Sequence, residues 1–337
     1  MPYTIQPYTE AFASKWDNFV MNHAVNGTFL HTRRFLSYHP QGRFEDASLM
    51  VFNGQELCAV IPAAVQTVDG RRMLRSHPGS TFGGPVFGPE LLRAPKLVEL
   101  VSVLDAHLQG QGYDACELKI TSDLFSTLPT DALQYALYHA GYTDELEIAA
   151  CLPVQGKTHE ELMADYSFNK RYDLKKCERA GLRTQRLHTH EELACFYDLL
   201  CLNLLKFDAK PVHTLAELMD FHDERLKDEV VFLGVYDPQN RMVAGACLFW
   251  FAQANVLHTQ YLATAPDVKG YVPSTFLYDS VIRTALEAGA KTVSFGTSTH
   301  DRGRVLNTGL IQNKEGYGAI HSLNRIYTKA YREAQTE

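Results

Sequence analysis

The stretch that most constrains the fold of this chain runs from Glu229 to Ser298. Three long apolar runs, separated only by polar and turn residues, predict three consecutive β-strands. These runs are Val230–Tyr236, Met242–Phe251 and Val256–Leu262. After a loop that contains Gly270, apolar residues recur at helical spacing from Pro273 until Gly289 ends the pattern. With a last strand over Thr292–Phe295, this order predicts an α/β (α+β) fold in which a helix connects two strands.

The first half of the chain carries strand and helix signals in a similar order. Asn53-Gly54 and Asp69-Gly70 are hairpin signals, with one strand predicted over Glu56–Thr67 between them, and the glycine-rich loop His77–Pro85 follows. A helical segment and further strands complete this half. The similarity predicts two copies of one fold, over residues 1–154 and 155–337. A single large α/β domain is the alternative.

Charge and cysteine usage exclude several classes of protein. A net charge of −7 argues against a DNA-binding or general nucleic-acid-binding protein. Seven cysteines without a CxxC motif indicate reduced thiols, and the pair His188 and His190 is too weak a pattern for a metal site. The sequence shows no N-terminal signal segment, and no apolar run approaches the roughly 20 residues of a membrane helix. We therefore expect a cytoplasmic protein without a transmembrane segment or a metal.

The most basic part of the chain lies between the two sets of strands. Thr158 and Glu161 have the spacing of a capping box at the start of a helix. From position 170 to 186 there are seven Lys or Arg residues against two acids. Arg171, Lys175 and Arg179 are four apart and so share one helical face. Such a row suits a phosphate or pyrophosphate, and a solvated helix face is the alternative.

Three segments resemble those of a known family. Ser167–Gly181, of the form S-x-x-x-R-x-x-L-K-K-x-x-x-x-G, resembles the segment that opens the second domain of FemAB-type proteins. These are tandem GNAT-type transferases related to the enzymes that make peptidoglycan cross-bridges in bacteria. Trp16–Phe35 and Phe295–Ala319 are similar to two further segments of the family, and Glu229–Ser298 resembles the GNAT core. The resemblance implies two tandem GNAT-like domains, each a mixed, mostly antiparallel sheet flanked by helices.

The resemblance also implies where an acceptor substrate binds. Arg171 matches an arginine that contacts the phosphate of a nucleotide-linked precursor, and its neighbours Asn169 and Lys175 are expected at the same site. His39 stands nearest to the position of a phosphate-binding lysine of the cross-bridge enzymes. This difference favours the acyltransferase branch of the family, which is associated with polysaccharide and other envelope clusters. Arg304 is a further candidate for binding an anionic acceptor, with a solvated loop as the alternative.

The loop before the second-half helix is the candidate donor site. In GNAT proteins, backbone N–H groups of this loop and the helix start bind the pyrophosphate of acyl-CoA. Lys269, Gly270, Ser274 and Thr275 are the matching candidates here. A simple turn from strand to helix is the alternative, because only one glycine of the usual pattern is present.

Acyl transfer to an amine needs a proton acceptor and a donor to the developing oxyanion. Lys314 matches a family lysine near the reacting carbonyl and is the candidate for the oxyanion. His77, Tyr261 and His258 are candidates for the proton acceptor, and a hydrogen-bonded core residue is the alternative for His258.

These features predict an N-acyltransferase that uses acyl-CoA, such as acetyl-CoA, as donor. The acceptor would be an amino group of a cell-envelope or polysaccharide precursor, linked to a nucleotide or lipid or part of a peptide. An aminoacyl-tRNA-dependent transferase is one alternative, although it would need a basic surface for tRNA. A catalytically silent binding module with the same fold is another.

Overall fold

The architecture is that of a computed structural model, which describes residues 3–40, 42–205 and 208–332. The chain divides into two compact units. Unit 1 comprises Met1–Glu147, Asp301–Arg304 and Leu323–Glu337, and unit 2 comprises Ile148–His300 and Val305–Ser322. The units do not have the bounds of the expected domains, residues 1–154 and 155–337, and those bounds stay a prediction.

Unit 1 contains two sheets. Its strands are β1 (Thr4–Pro7), β2 (Glu45–Asp46), β3 (Leu49–Asn53), β4 (Glu56–Ile61), β5 (Ala63–Val68), β6 (Arg71–Ser76), β7 (Val86–Phe87), β8 (Ala115–Lys119) and parts of β9 (Thr143–Pro153) and β17 (Ile320–Ala330). The first sheet is antiparallel, in the order β1-β3-β4-β7. The second has the order β2-β5-β6-β8-β17, in which β6 and β8 run parallel and the other pairs antiparallel.

Both hairpin turns predicted for this half are present, at Asn53-Gly54 and Asp69-Gly70. The single strand predicted to follow Gly54 is wrong, because it is divided at Pro62 into β4 and β5, which belong to different sheets. Proline has no backbone N–H for the ladder, so a strand is readily interrupted there.

The helices of unit 1 are α1 (Ala13–Asn22), α2 (Arg33–Leu36), α3 (Ala94–Gly110) and α4 (Asp131–His139).

Unit 2 is built on one mixed sheet. Its strands are the end of β9, β10 (Arg183–Arg186), β11 (Val230–Tyr236), β12 (Met242–Phe251), β13 (Val256–Thr264), β14 (Thr292–Thr297), β15 (Thr299–His300) and β16 (Val305–Leu306). Its helices are α5 (His159–Ala164), α6 (Phe168–Arg179), α7 (His190–Leu205), α8 (Leu215–Asp220), α9 (Pro273–Glu287) and α10 (Thr308–Glu315). The mixed sheet has the order β10-β11-β12-β13-β14-β9, in which β13 and β14 are the parallel pair among the described strands, while β15 and β16 form a separate antiparallel pair.

The strand, loop, helix and strand order predicted for this unit is confirmed. The apolar face of α9, with Leu277 and Val281, packs on one side of the sheet together with Leu174 of α6. The predicted capping box is also present, since Glu161 N–H donates to the Thr158 hydroxyl at 3.2 Å and Thr158 N–H to the Glu161 carboxylate at 2.7 Å. Local sequence signals therefore specify the starts of α5 and α9 well.

Among the described residues, no helix combines the length and the apolar character that crossing a membrane requires. The same residues contain no group of three His, Cys, Asp or Glu side chains suited to a metal ion. All seven cysteines are free thiols, and five of them are buried.

Candidate functional site

The sheet of unit 2 opens between its two parallel strands. β13 and β14 pair at only three positions, from Val256–Thr292 to His258–Ser294. Both strands continue beyond the last pair, β13 to Thr264 and β14 to Thr297. We call the opening between residues 259–264 and 295–297 the wedge. Its walls are the edge of β13 that faces β14 and the edge of β14 that faces β13. In the described part of the sheet, the two edges are not paired with each other beyond His258 and Ser294.

Side chains join the two strands where the wedge begins. His258 Nδ1 lies 2.9 Å from Ser294 Oγ, and the Thr259 hydroxyl donates to Ser294 O at 3.3 Å. Burial lowers the pKa of His258 to about 4, and the positive charge of Lys314 acts in the same direction. The imidazole is therefore neutral at pH 7 and holds the closed end of the wedge through a hydrogen bond.

Lys314 donates hydrogen bonds to the backbone of β14 at the wedge. Its side chain is buried, at 2% exposure, and its ammonium donates to Gly296 O at 2.9 Å, Thr297 O at 2.8 Å and Ser298 Oγ at 2.9 Å. These bonds use all three N–H groups of the ammonium. Burial lowers the pKa of Lys314 to about 8. The geometry favours a role in supporting the wall, and the role at a reacting carbonyl stays a prediction.

Gly296 has a φ of +71°, in the left-handed region that disfavours residues with a Cβ. Replacing it with alanine is expected to lower the free energy of unfolding by about 1–2 kcal/mol, measured by urea denaturation. The added Cβ would lie 3.4 Å from His258 Cε1, at ordinary contact distance. Gly289→Ala is the matched control, because Gly289 has a φ of +68° and open space around it. Both variants should lose similar stability, but only Gly296→Ala should shift the NMR signals of the His258 ring. Unchanged stability in Gly296→Ala would contradict the prediction.

The β13 wall contains a β-bulge. The register between β12 and β13 passes from the pair Cys247–Tyr261 to the pair Leu248–Thr259, which leaves Gln260 as the extra residue. A bulge bends its strand and changes the direction of the neighbouring side chains. The bulge therefore affects the direction in which the Tyr261 side chain projects from β13.

Tyr261 is hydrogen-bonded to a histidine that the sequence analysis did not identify. Its hydroxyl lies 2.6 Å from Nδ1 of His213, which is buried immediately before α8. Because side chains alternate along a strand and Leu262 packs with the α9 cluster, Tyr261 faces the other side of the sheet. The only local signal for His213 is the capping box of Thr214 and Glu217, which fixes the start of α8 directly after it.

The predicted donor loop lies beside the start of α9. Lys269 and Gly270 are exposed, Ser274 is half-buried at the second helical position, and Pro273 begins the helix as predicted. The N-terminus of α9 has no side-chain cap. Thr275 is fully buried and its N–H donates to the carbonyl that precedes Pro273, so this residue offers no surface to a ligand.

Comparison with known proteins agrees with this geometry. Residues 168–302, which contain the wedge and the donor loop, match the model of the acetyltransferase (GNAT) domain family. This part of the chain is therefore similar to the acetyltransferase domain of GNAT proteins. The match supports an acyltransferase, and it does not extend to Lys314. No curated protein sequence matches the chain significantly.

Three solved structures resemble the chain over most of its length. FemX has 13% identity and a TM-score of 0.67, with 96% of each chain covered. L-PGS from Bacillus licheniformis has 12% identity and a TM-score of 0.56, with 86% of this chain and 85% of that chain covered. A tandem GNAT protein from the clavulanic acid biosynthesis pathway, solved without AcCoA, has 10% identity and a TM-score of 0.56, with 99% and 100% covered. The predicted tandem GNAT-like, FemAB-like fold is confirmed.

The basic helix of the GNAT domain differs from the expected phosphate-binding row. The Arg171 guanidinium donates to Ala164 O at 3.1 Å and to Tyr166 O, so it supports the backbone that ends α5. Asn169 and Lys175 are exposed. Arg171 is therefore bound to the backbone carbonyls of Ala164 and Tyr166, whereas Asn169 and Lys175 are accessible to a ligand.

The remaining candidates lie in unit 1. His77 is buried, its Nδ1 accepts the Gly79 N–H at 3.2 Å, and its ring stacks on His39 with centroids 5.5 Å apart. Burial lowers the pKa of His77 to about 4, and the nearby His39 contributes in the same direction. Arg304 is exposed and lies 3.3 Å from the carboxylate of Glu145. The roles of these residues stay predictions.

Proposed function

We propose that this chain is an N-acyltransferase that moves an acyl group from acyl-CoA to an amino group of a cell-envelope or polysaccharide precursor. The proposal rests on the wedge between β13 and β14, open beside the start of α9 within the GNAT match. Beyond His258, the β14-facing edge of β13 has no partner strand among the described residues, and such an edge can bind an extended chain that carries amide groups, as in β-strand addition. The pantetheine arm of CoA is such a chain.

The donor's pyrophosphate would bind at the start of α9. The positive end of the helix dipole favours an anion there, and the second helical N–H, at Ser274, lacks an acceptor within the helix. Lys269 supplies a nearby exposed cation, and Gly270, with a φ of +90° and open space around it, lets the backbone approach the ligand. We leave Thr275 out of this set, because it is buried.

In the proposed reaction, the neutral amine attacks the carbonyl carbon of the thioester. The tetrahedral intermediate then forms the amide bond and breaks the C–S bond, and CoA leaves as a thiol. Backbone N–H groups along the β13 wall are the proposed donors to the oxyanion, because a fixed N–H beside the developing charge stabilises it. The amine loses one proton in this sequence, and the leaving thiolate takes one up.

Tyr261 is the proposed proton acceptor, acting with His213. Its hydroxyl can give its own proton to His213 Nδ1 while its oxygen accepts one from the attacking amine. Burial lowers the pKa of His258 and of His77 to about 4, so neither imidazole binds a proton strongly near pH 7. The position of Tyr261 beside the wedge and its contact with His213 favour it over these two histidines.

The acceptor of the proposed reaction is an amino group of an envelope precursor. The FemAB-type motif at Ser167–Gly181 and the likeness to FemX and L-PGS support an envelope precursor. Within unit 2, the exposed Lys175 is a candidate for contacting an anionic group of it, and the exposed Asn169 for hydrogen bonding. The likeness to FemX equally allows an aminoacyl-tRNA donor, which remains the alternative.

Acetyl-CoA is expected to raise the melting temperature of the purified protein. A ligand at 100 times its Kd stabilises the folded state by about 2.7 kcal/mol, which for a chain of this size is a shift of roughly 5 °C. Lys269→Ala with Ser274→Ala should remove most of the shift, because both changes delete contacts to the pyrophosphate. Lys227→Ala is the matched control, since Lys227 is an exposed lysine of the same unit outside the loop.

The outcomes of this titration separate the candidate functions. A saturable shift that the loop variant loses supports acyl-CoA, and a screen of amine acceptors follows. If neither acetyl-CoA nor longer acyl-CoAs produce a shift, the acyl-CoA proposal fails. A gel-shift with aminoacylated tRNA then distinguishes the tRNA-dependent transferase from a silent binding module.

A further inference from the structure

One face of α6 carries aromatic and basic side chains together, all of them exposed except Lys176, which is half-buried. It consists of Phe168, Tyr172, Lys175, Lys176 and Arg179, and we call it the aromatic–basic face. At 100° per residue these five positions fall on one side of the helix. The opposite side carries the two buried residues of α6, Leu174 and Cys177, which pack into the core.

The two rings of this face are exposed and lie next to each other. Phe168 is 73% exposed and Tyr172 is 50% exposed. The rings stack nearly in parallel, with centroids 6.2 Å apart, and Lys176 Nζ lies 4.5 Å from the centre of the Tyr172 ring. Two exposed rings in contact, with basic side chains on the same side of the helix, form a contiguous patch, and such patches mark interaction surfaces.

The charges on this face have one sign. Lys175, Lys176 and Arg179 surround the two rings, while Asp173 and Glu178 stand about 100° or more away from the centre of the face. This arrangement departs from the chain as a whole, whose net charge is −7. The partner of this face is therefore both anionic and able to accept an apolar ring.

We propose that the aromatic–basic face docks this protein on the surface of an anionic lipid bilayer. Phenylalanine and tyrosine rings partition into the interface between headgroups and acyl chains, and lysine and arginine beside them bind anionic headgroups. Lys176 lies over the Tyr172 ring, and Lys175 and Arg179 share the same side of the helix, so cations and rings can contact the interface at the same time. Docking through α6 is independent of which acyl donor the protein uses.

A bilayer suits this face better than single-stranded RNA does. RNA-binding surfaces combine base-stacking rings with a positively charged groove that follows the backbone. Here the rings and cations project from the outer side of one twelve-residue helix. Phe168 at the helix start protrudes without a polar atom, which fits insertion between headgroups.

The test is co-sedimentation of the full chain with lipid vesicles. Vesicles of phosphatidylcholine with about one third phosphatidylserine should bind the protein at low salt, and vesicles of phosphatidylcholine alone should bind it much less. Phe168→Ser with Tyr172→Ser should lower the partition coefficient by about tenfold, since the inserted apolar area is lost. Lys175→Gln, Lys176→Gln and Arg179→Gln together should lower it by a similar factor and remove its dependence on salt.

Tyr138→Ser is the matched control. Tyr138 is 75% exposed on α4, a helix of nine residues without Lys or Arg, and its loss should leave vesicle binding unchanged. Circular dichroism and thermal melting establish that each variant is folded. Equal binding to both vesicle types, no binding to either, or an equal loss in Tyr138→Ser overturns the proposal. Binding of single-stranded RNA that the same substitutions abolish, without vesicle binding, would assign the face to nucleic acid.

Discussion

Replacing Tyr261 with phenylalanine is expected to lower kcat for acyl transfer by about 10²–10⁴-fold, the usual contribution of a general acid–base group. The change removes the hydroxyl that lies 2.6 Å from His213 Nδ1 and keeps the ring. The KM for acyl-CoA should change little, because the hydroxyl acts on the amine's proton. Steady-state kinetics with the acceptor found in the amine screen measure both constants.

Two further variants define the role of Tyr261. His213→Gln keeps a hydrogen-bond acceptor for the tyrosine but cannot take up a proton, so kcat should fall and the dependence of kcat on pH should flatten. Tyr236→Phe is the control, since Tyr236 is a buried tyrosine at the end of β11, outside the wedge. A Tyr261→Phe enzyme with kcat within twofold of the wild type would exclude Tyr261 as the proton acceptor.

Replacing Lys314 with methionine is expected to lower the free energy of unfolding by about 3 kcal/mol or more at pH 7. Methionine keeps the length and apolar stem of the side chain but donates no hydrogen bond. Gly296 O, Thr297 O and Ser298 Oγ then lose the donor they share. Each buried acceptor left unpaired costs about 1–3 kcal/mol, and the loss of a buried charge offsets part of that sum. Urea denaturation monitored by circular dichroism measures the change.

The same variant reports on the pKa of Lys314. Burial lowers this pKa from 10.5 in the unfolded chain to about 8 in the folded protein. Between pH 8 and 10.5 the unfolded state therefore binds more protons, and wild-type stability should rise relative to Lys314→Met. The rise should total about 3 kcal/mol, at about 1.4 kcal/mol per pKa unit. Below pH 8 the side chain is charged in both states, and the difference between the two proteins should stay constant.

Lys291→Met is the control for Lys314→Met. Lys291 is exposed and directly precedes β14, so its substitution should change stability by less than about 0.5 kcal/mol. If Lys314→Met keeps wild-type stability but loses kcat, the lysine acts on the reacting carbonyl and not as a support of β14. That result would favour the role implied by the family resemblance over the one that the hydrogen bonds indicate.

The main elements of unit 2 were predictable because their signals are local. The apolar runs of β11, β12 and β13, the Pro273 start of α9 and the Thr158 capping box each involve residues a few positions apart. The division of the first-half strand at Pro62 was missed, because the choice between two sheets depends on pairing with distant strands. The bulge at Gln260 was missed for the same reason.

The candidate site was predictable only in part. The location of the donor loop followed from the order of strand, loop and helix, and Tyr261 was identified as a candidate from its strand. His213 lies 48 positions from Tyr261, and no spacing rule connects two such residues. Arg171 was expected to contact a ligand, but its guanidinium donates to Ala164 O and Tyr166 O at the end of α5.

Sequence alone determined the main strands and helices of unit 2, because hydrophobic periodicity, turn residues and helix caps act over a few residues. It also determined the family resemblance, because the motif at Ser167–Gly181 and the strand order are features of the chain itself. Only the tertiary structure decided where β13 and β14 part, that Lys314 is buried against β14, and that His213 meets Tyr261. Each of these depends on hydrogen bonds and packing between residues distant in sequence, which form only when the sheet and its helices are assembled.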